Sequence, residues 1–133
     1  MAGKKVVLFC EPNPEWVPSW AKTLSKLGIE SRTGTELGRK GIYVEDFKEM
    51  VINGQIPDDV GVIVFGDAIV DDRMCKRENS LITQLRRDRP EILLISSSSN
   101  DGINRENVEK GCVASVDKIG LPYFVAGLLH RPQ

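Results

Sequence analysis

The sequence has no apolar run long enough to cross a bilayer. Its longest, "VVLFC" (6–10), "VIVF" (62–65) and "ILLI" (92–95), fall far short of the roughly 20 residues that a spanning helix needs. The opening "MAGKK" runs into a strand pattern without signal-peptide organisation, so the reading predicts a cytoplasmic protein without membrane contact. Neither sign of charge dominates: 18 Lys and Arg face 19 Asp and Glu, for a net charge of −1. That balance argues against direct nucleic-acid binding and against an acidic solvating tail. Three cysteines, Cys10, Cys75 and Cys112, are odd in number and lack CxxC spacing, and His130 is the single histidine. No zinc cluster can be assembled from such a set, and the thiols are expected to be reduced and mostly buried. There is no G-x-G-x-x-G for a dinucleotide and no G-x-S-x-G elbow for a hydrolase. Repeats and low-complexity linkers are also missing, so residues 1–133 read as one domain, long enough to bury a core unaided.

What is present is alternation. Apolar runs at 5–10, 62–66, 92–95 and, more weakly, 112–116 read as strands, with a half-polar candidate, "IESRT", at 29–33. Helical patterns lie between them. Trp16, Trp20, Leu24 and Leu27 form one apolar stripe that Gly28 stops. Asn13-Pro14 reads as its start, with Pro18 then in the second turn, where it delays or bends the helix. A second helix runs from Tyr43 or Val44 to Ile52. The third carries Leu81, Ile82 and Leu85 and ends by Pro90, and the fourth spans Ile103 to Val108 between Asn100 or Asp101 and Gly111. The fifth covers Leu121 to Leu129. Five strands alternating with five helices predict an α/β fold: a doubly wound, flavodoxin-like, five-stranded parallel sheet with helices on both faces. The glycine-rich stretch 33–42 is the expected long loop.

In a parallel sheet the strand ends share one edge, where ligands bind. The run "VIVFGD" ends on a carboxylate, Asp67. Cys10-Glu11 follows the first strand, Ser96-Ser97 the fourth and Asp117-Lys118 the fifth, so acids, a hydroxyl and an amine converge. This arrangement resembles the response-regulator receiver domain of two-component signalling, over nearly the whole chain. "VVLFCEPNPEW" through "LSKLG" is similar to the first strand, acidic pair and first helix of that family. "VIVFGD" is similar to its acceptor strand and "LRRDRPEILLISS" to its third helix and fourth strand. Lys118 stands where the family has its lysine, 22 positions after Ser96.

The resemblance implies specific roles. Asp67 would be the phosphoacceptor, with Lys118 and Ser96 binding phosphoryl oxygens. Glu11, Asp67 and the backbone carbonyl of Ile69 would hold magnesium. A carboxylate that attacks a phosphoryl dianion needs such neutralising charge. Enzymatic activity would extend at most to self-phosphorylation from a phosphodonor. The implied partner is a protein, a histidine kinase or a downstream output protein, with a homodimer through the fourth helix, fifth strand and fifth helix. Several positions depart from the pattern. Pro12 replaces the second acid and offers no ligand, which weakens magnesium binding. Ile119 follows the lysine where a proline is usual, and Ser115 stands where a switch aromatic often does. The alternative function is therefore a phosphorylation-independent pseudo-receiver that works as an interaction or dimerisation domain. A further alternative is a small-molecule or nucleotide binder using Ser96–Ser99 as an anion site.

Each residue also has an ordinary reading. Asp67 suits a turn, Lys118 a solvated surface, Ser96–Ser99 a helix-capping loop, and Asp71 and Asp72 the opening of a helix. Trp16 and Trp20 suit packing, and Trp16 would be a fluorescence reporter if it sat beside the pocket. Two rivals fail on sequence. A flavodoxin-type phosphate loop wants Ser, Thr or Gly where "EPNPEW" stands, and Cys10 lacks the amides and arginine that would stabilise a thiolate.

Overall fold

Val6–Cys10 (β1) and Val60–Phe65 (β3) are buried along their whole length, as strands covered on both faces must be. The computed structural model describes residues 6–10, 16–32, 50–66 and 80–130. Around these two strands lie Trp16–Lys26 (α1), Ser31–Arg32 (β2), helical residues 50–52 (α2) and Leu81–Asp88 (α3). Leu93–Ser96 (β4), Asp101–Lys110 (α4), Ala114–Ser115 (β5) and Leu121–Leu129 (α5) complete the order. All pairings are parallel and the strand order is β2-β1-β3-β4-β5, the doubly wound arrangement expected from the alternation. The expected second helix from 43 and the loop at 33–42 fall largely outside the described residues.

Alternation along each strand sends side chains to two cores. Leu8, Cys10, Ile63, Phe65 and Leu94 pack with Met50, Val51, Leu81, Ile82 and Leu85 on the α2–α3 side. Val7, Phe9, Val62, Val64 and Ile95 pack with Trp20, Leu24, Leu121 and Val125 on the α1–α5 side. By the same alternation, Ser96 belongs to the Leu94 face and Ser97 to the Ile95 face. The buried Cys112 thiol has its pKa pushed up to about 12 by desolvation, so it stays neutral. Neither it nor Cys10 is in a disulfide and both are buried, as the composition suggested; Cys75 lies outside the described residues.

The helix ends follow local chemistry. Ser80 Oγ accepts from Ile82 N at 3.2 Å to cap α3, and Asn100 Oδ1 accepts from Ile103 N at 3.1 Å to cap α4. Pro18 is the third described residue of α1; in a first turn its missing N–H has no helical partner to lose. The expected short fourth helix is longer, running on to Lys110, where Gly111 stops it at φ +143°. A Cβ there would lie 3.3 Å from Arg86 Cβ. Gly111→Ala is accordingly expected to lower stability by about 1–3 kcal/mol through backbone strain, measurable as a shifted urea midpoint with unchanged slope. The two-residue edge strand β2 is tied down by Arg32, whose guanidinium donates to both oxygens of Asp59 at 3.0 and 2.7 Å and to Glu30 at 2.8 Å. The Arg32 bonds hold the Asp59 carboxyl below its usual range.

Candidate functional site

The C-terminal edge of the sheet is where sequence reasoning placed the chemistry. Lys118 and Ser96 are described there. Glu11, Asp67 and Ile69, with Pro12, Asp71 and Asp72, lie outside the described residues. Among the described residues, no group of three or more His, Cys, Asp or Glu could hold a metal ion, and the expected magnesium ligands all belong to the part not described.

Lys118 is not a solvated surface residue. It is 8% exposed, and its Nζ donates to the Ser97 carbonyl at 2.7 Å. The same Nζ lies 5.5 Å from the Trp16 ring centroid and 5.2 Å from that of Trp20, within cation–π range of both. The two indoles stack at 6.0 Å, and Trp20 also meets Phe9 at 5.4 Å. Trp20 Nε1 donates to the Lys118 carbonyl at 2.8 Å. Trp16 therefore sits beside the edge, where its fluorescence would report on it. Asp117 turns back to accept from Gly120 N at 2.7 Å, an Asx turn that leads into α5.

Ser96 ends β4 with its hydroxyl turned into α4. Its Oγ donates to Asn104 Oδ1 at 2.7 Å and accepts from Asn107 Nδ2 at 3.0 Å. The single hydroxyl proton is thereby committed, so in this arrangement Ser96 cannot donate to an incoming oxygen. Asn104 goes further, accepting from Ser98 N and donating to Ser98 O, both at 2.9 Å. Ser97 Oγ is buried and has no hydrogen-bond partner among the described residues. The sequence reading missed Asn104, Asn107 and the paired indoles. A signal existed: α4 has only Ile103 and Val108 as large apolar residues, too few for an ordinary apolar stripe, so its inner face had to be polar.

On the far side of that network, Asp101, Asn104, Arg105, Val108, Glu109 and Ser115 line an open groove of about 400 Å³. Ser115 is exposed at the edge of this groove.

The same fold recurs in solved structures over nearly the whole chain. The fold is that of a response-regulator receiver domain. A receiver domain of DrrB from Thermotoga maritima, activated by beryllofluoride, superimposes with a TM-score of 0.65 at 18% identity, over 96% of this chain and 98% of that one. A receiver protein from Pseudomonas putida does so with a TM-score of 0.64 at 14% identity, over 96% and 99%. An atypical orphan response regulator, described as having a phosphorylation-independent regulatory mechanism, matches with a TM-score of 0.62 at 15% identity, over 93% and 94%. No family model and no curated protein matches the sequence. The receiver fold is thus carried by a sequence no more than 18% identical to these structures. Among its described residues, no helix is long and apolar enough to cross a membrane.

Proposed function

We propose that residues 1–133 form a single receiver-like regulatory domain that acts by binding a protein partner, and that its contact face stands in one state rather than being switched by phosphorylation. The observation that carries this reading is the closed Ser96–Asn104–Asn107 network. A hydroxyl that is to follow a phosphoryl group must be free to move, and this one is tied to α4 at both its donor and its acceptor. The exposed Ser115 offers no ring to turn inward. The contact face lies on α4, β5, α5 and the segments joining them, where Val108, Val113, Ile119, Tyr123 and Phe124 are large hydrophobic residues exposed to solvent. Exposed apolar surface of that kind is what partner binding uses. The partner is an output protein, a histidine kinase or a second copy of this chain.

A second reading is favoured by the buried Lys118 amine at this edge. In it Asp67 accepts a phosphoryl group, Lys118 and Ser96 bind its oxygens, and Glu11, Asp67 and the Ile69 carbonyl hold magnesium, weakened by Pro12. One experiment separates the two. Magnesium is titrated with and without beryllofluoride while amide resonances of Ser96, Asn104, Asn107 and Ser115 are followed by NMR. The standing-state reading expects no shift at millimolar magnesium, and partner capture unchanged by Asp67→Asn. Saturable shifts that Asp67→Asn abolishes would replace it with the phosphoacceptor reading.

A further inference from the structure

We infer that Trp20 is the positioning residue of Lys118: its indole N–H fixes the lysine peptide, and its ring fixes the amine. Lys118 lies beyond β5, whose paired residues are Ala114 and Ser115, and just before it Val116 N donates to Ser96 O at 2.9 Å. Among the described residues, the ladder between β4 and β5 does not reach Lys118. The Asx turn from Asp117 to Gly120 is local and does not orient the segment against the rest of the fold. Trp20 does so from the other end of the chain. Its Nε1 holds the Lys118 carbonyl at 2.8 Å, and its ring lies 5.2 Å from the Nζ of the same residue. Holding both ends of one residue from one side chain fixes the direction of its Cα–Cβ bond, and so delivers the amine to the Ser97 carbonyl at 2.7 Å. At 1% exposure, Trp20 is itself immobilised by Phe9 and Trp16. In this chain Ile119 is 80% exposed and contributes no such restraint. Helix α1 therefore sets the position of the lysine at the opposite end of the sequence.

This inference rests on reading Lys118 as the cation of the candidate site, but its test reads the lysine directly. Trace acetylation of the full chain, quantified lysine by lysine by mass spectrometry, compares Lys118 with the exposed Lys22 and Lys26 as internal references. Trp20→Phe removes the N–H and keeps an aromatic ring. A benzothienylalanine at position 20 keeps the whole bicyclic ring and lacks only the N–H, and so serves if the phenylalanine variant does not fold. Leu24→Ala loosens the same core without touching the lysine. The expected result is that Lys118 labelling relative to the references rises by at least about threefold when the N–H is lost, the population change worth one ordinary hydrogen bond, with no such rise in Leu24→Ala. Unchanged labelling without the N–H, or an equal rise in Leu24→Ala, would overturn the positioning role. Labelling is read without magnesium or beryllofluoride, so failure here leaves the beryllofluoride result standing, and the reverse holds equally.

Discussion

Trp20→Ala is expected to lower the unfolding free energy by about 3–5 kcal/mol, the range for truncating a large buried aromatic side chain. Three losses combine. The ring is 1% exposed and packs on Phe9 and Trp16 at centroid distances of 5.4 and 6.0 Å, so its removal opens a cavity in the α1–α5 core. The Lys118 carbonyl loses its N–H donor at 2.8 Å, and Lys118 Nζ loses one of its two indole faces. A domain of this size has on the order of 5–15 kcal/mol in all, so the variant should retain a cooperative transition at a markedly lower urea midpoint. Trp16→Leu, at a half-buried position, should cost clearly less. Equal costs would mean that the ring stack, and not the Trp20 contacts with Lys118 and Phe9, holds this side of the sheet.

Asn104→Ala is expected to cost about 2–3 kcal/mol, taking each ordinary hydrogen bond at about 1 kcal/mol. The side chain makes three: one with Ser96 Oγ and two with the Ser98 backbone. Its removal leaves the Ser98 amide without its side-chain acceptor and frees the proton of Ser96. The informative measurement is a double-mutant cycle by urea denaturation. Ser96→Ala and Asn104→Ala should show a coupling of about 1 kcal/mol, since contacting residues in one network are not additive. Strict additivity would show that Ser96 is not tied to α4, and with it would go the main support for a contact face held in one state. The two predictions probe opposite faces of the sheet. One tests how the lysine is held, the other how the hydroxyl is held.

Particular residues show how far the sequence could be read. The strands expected at 5–10 and 62–66 were legible as elements, standing at Val6–Cys10 and Val60–Phe65, because an apolar run between turn signals has few other uses. The weak strands were legible in place but not in extent. The expected 29–33 shrinks to Ser31–Arg32 and the expected 112–116 to Ala114–Ser115, because edge and near-edge pairing depends on what the neighbouring strand offers. Helix α4 lies between the expected signals, Asn100 and Gly111, and fills the span Asp101–Lys110 rather than only the apolar stretch Ile103 to Val108. Lys118 was legible as a position at the sheet edge. Its burial between two indoles was not, because the spacing of Trp16 and Trp20 signals only a packed stripe.

The sequence by itself determined the order of the described elements, the parallel sheet and the place of Ser96 and Lys118 at its C-terminal edge, for these follow from local periodicity and the handedness of crossovers. It also carries Pro12, Ser115 and Ile119, where the sequence departs from the receiver pattern it resembles. Only the tertiary structure decided what the edge residues do to one another. Whether Ser96 turns to α4 or to the sheet edge, and whether Lys118 is solvated or clasped by Trp20, depends on contacts between segments up to 98 residues apart in the chain. Such contacts carry no periodic signature, because a single hydrogen bond is satisfied by many residue types and is chosen only once the helices have packed.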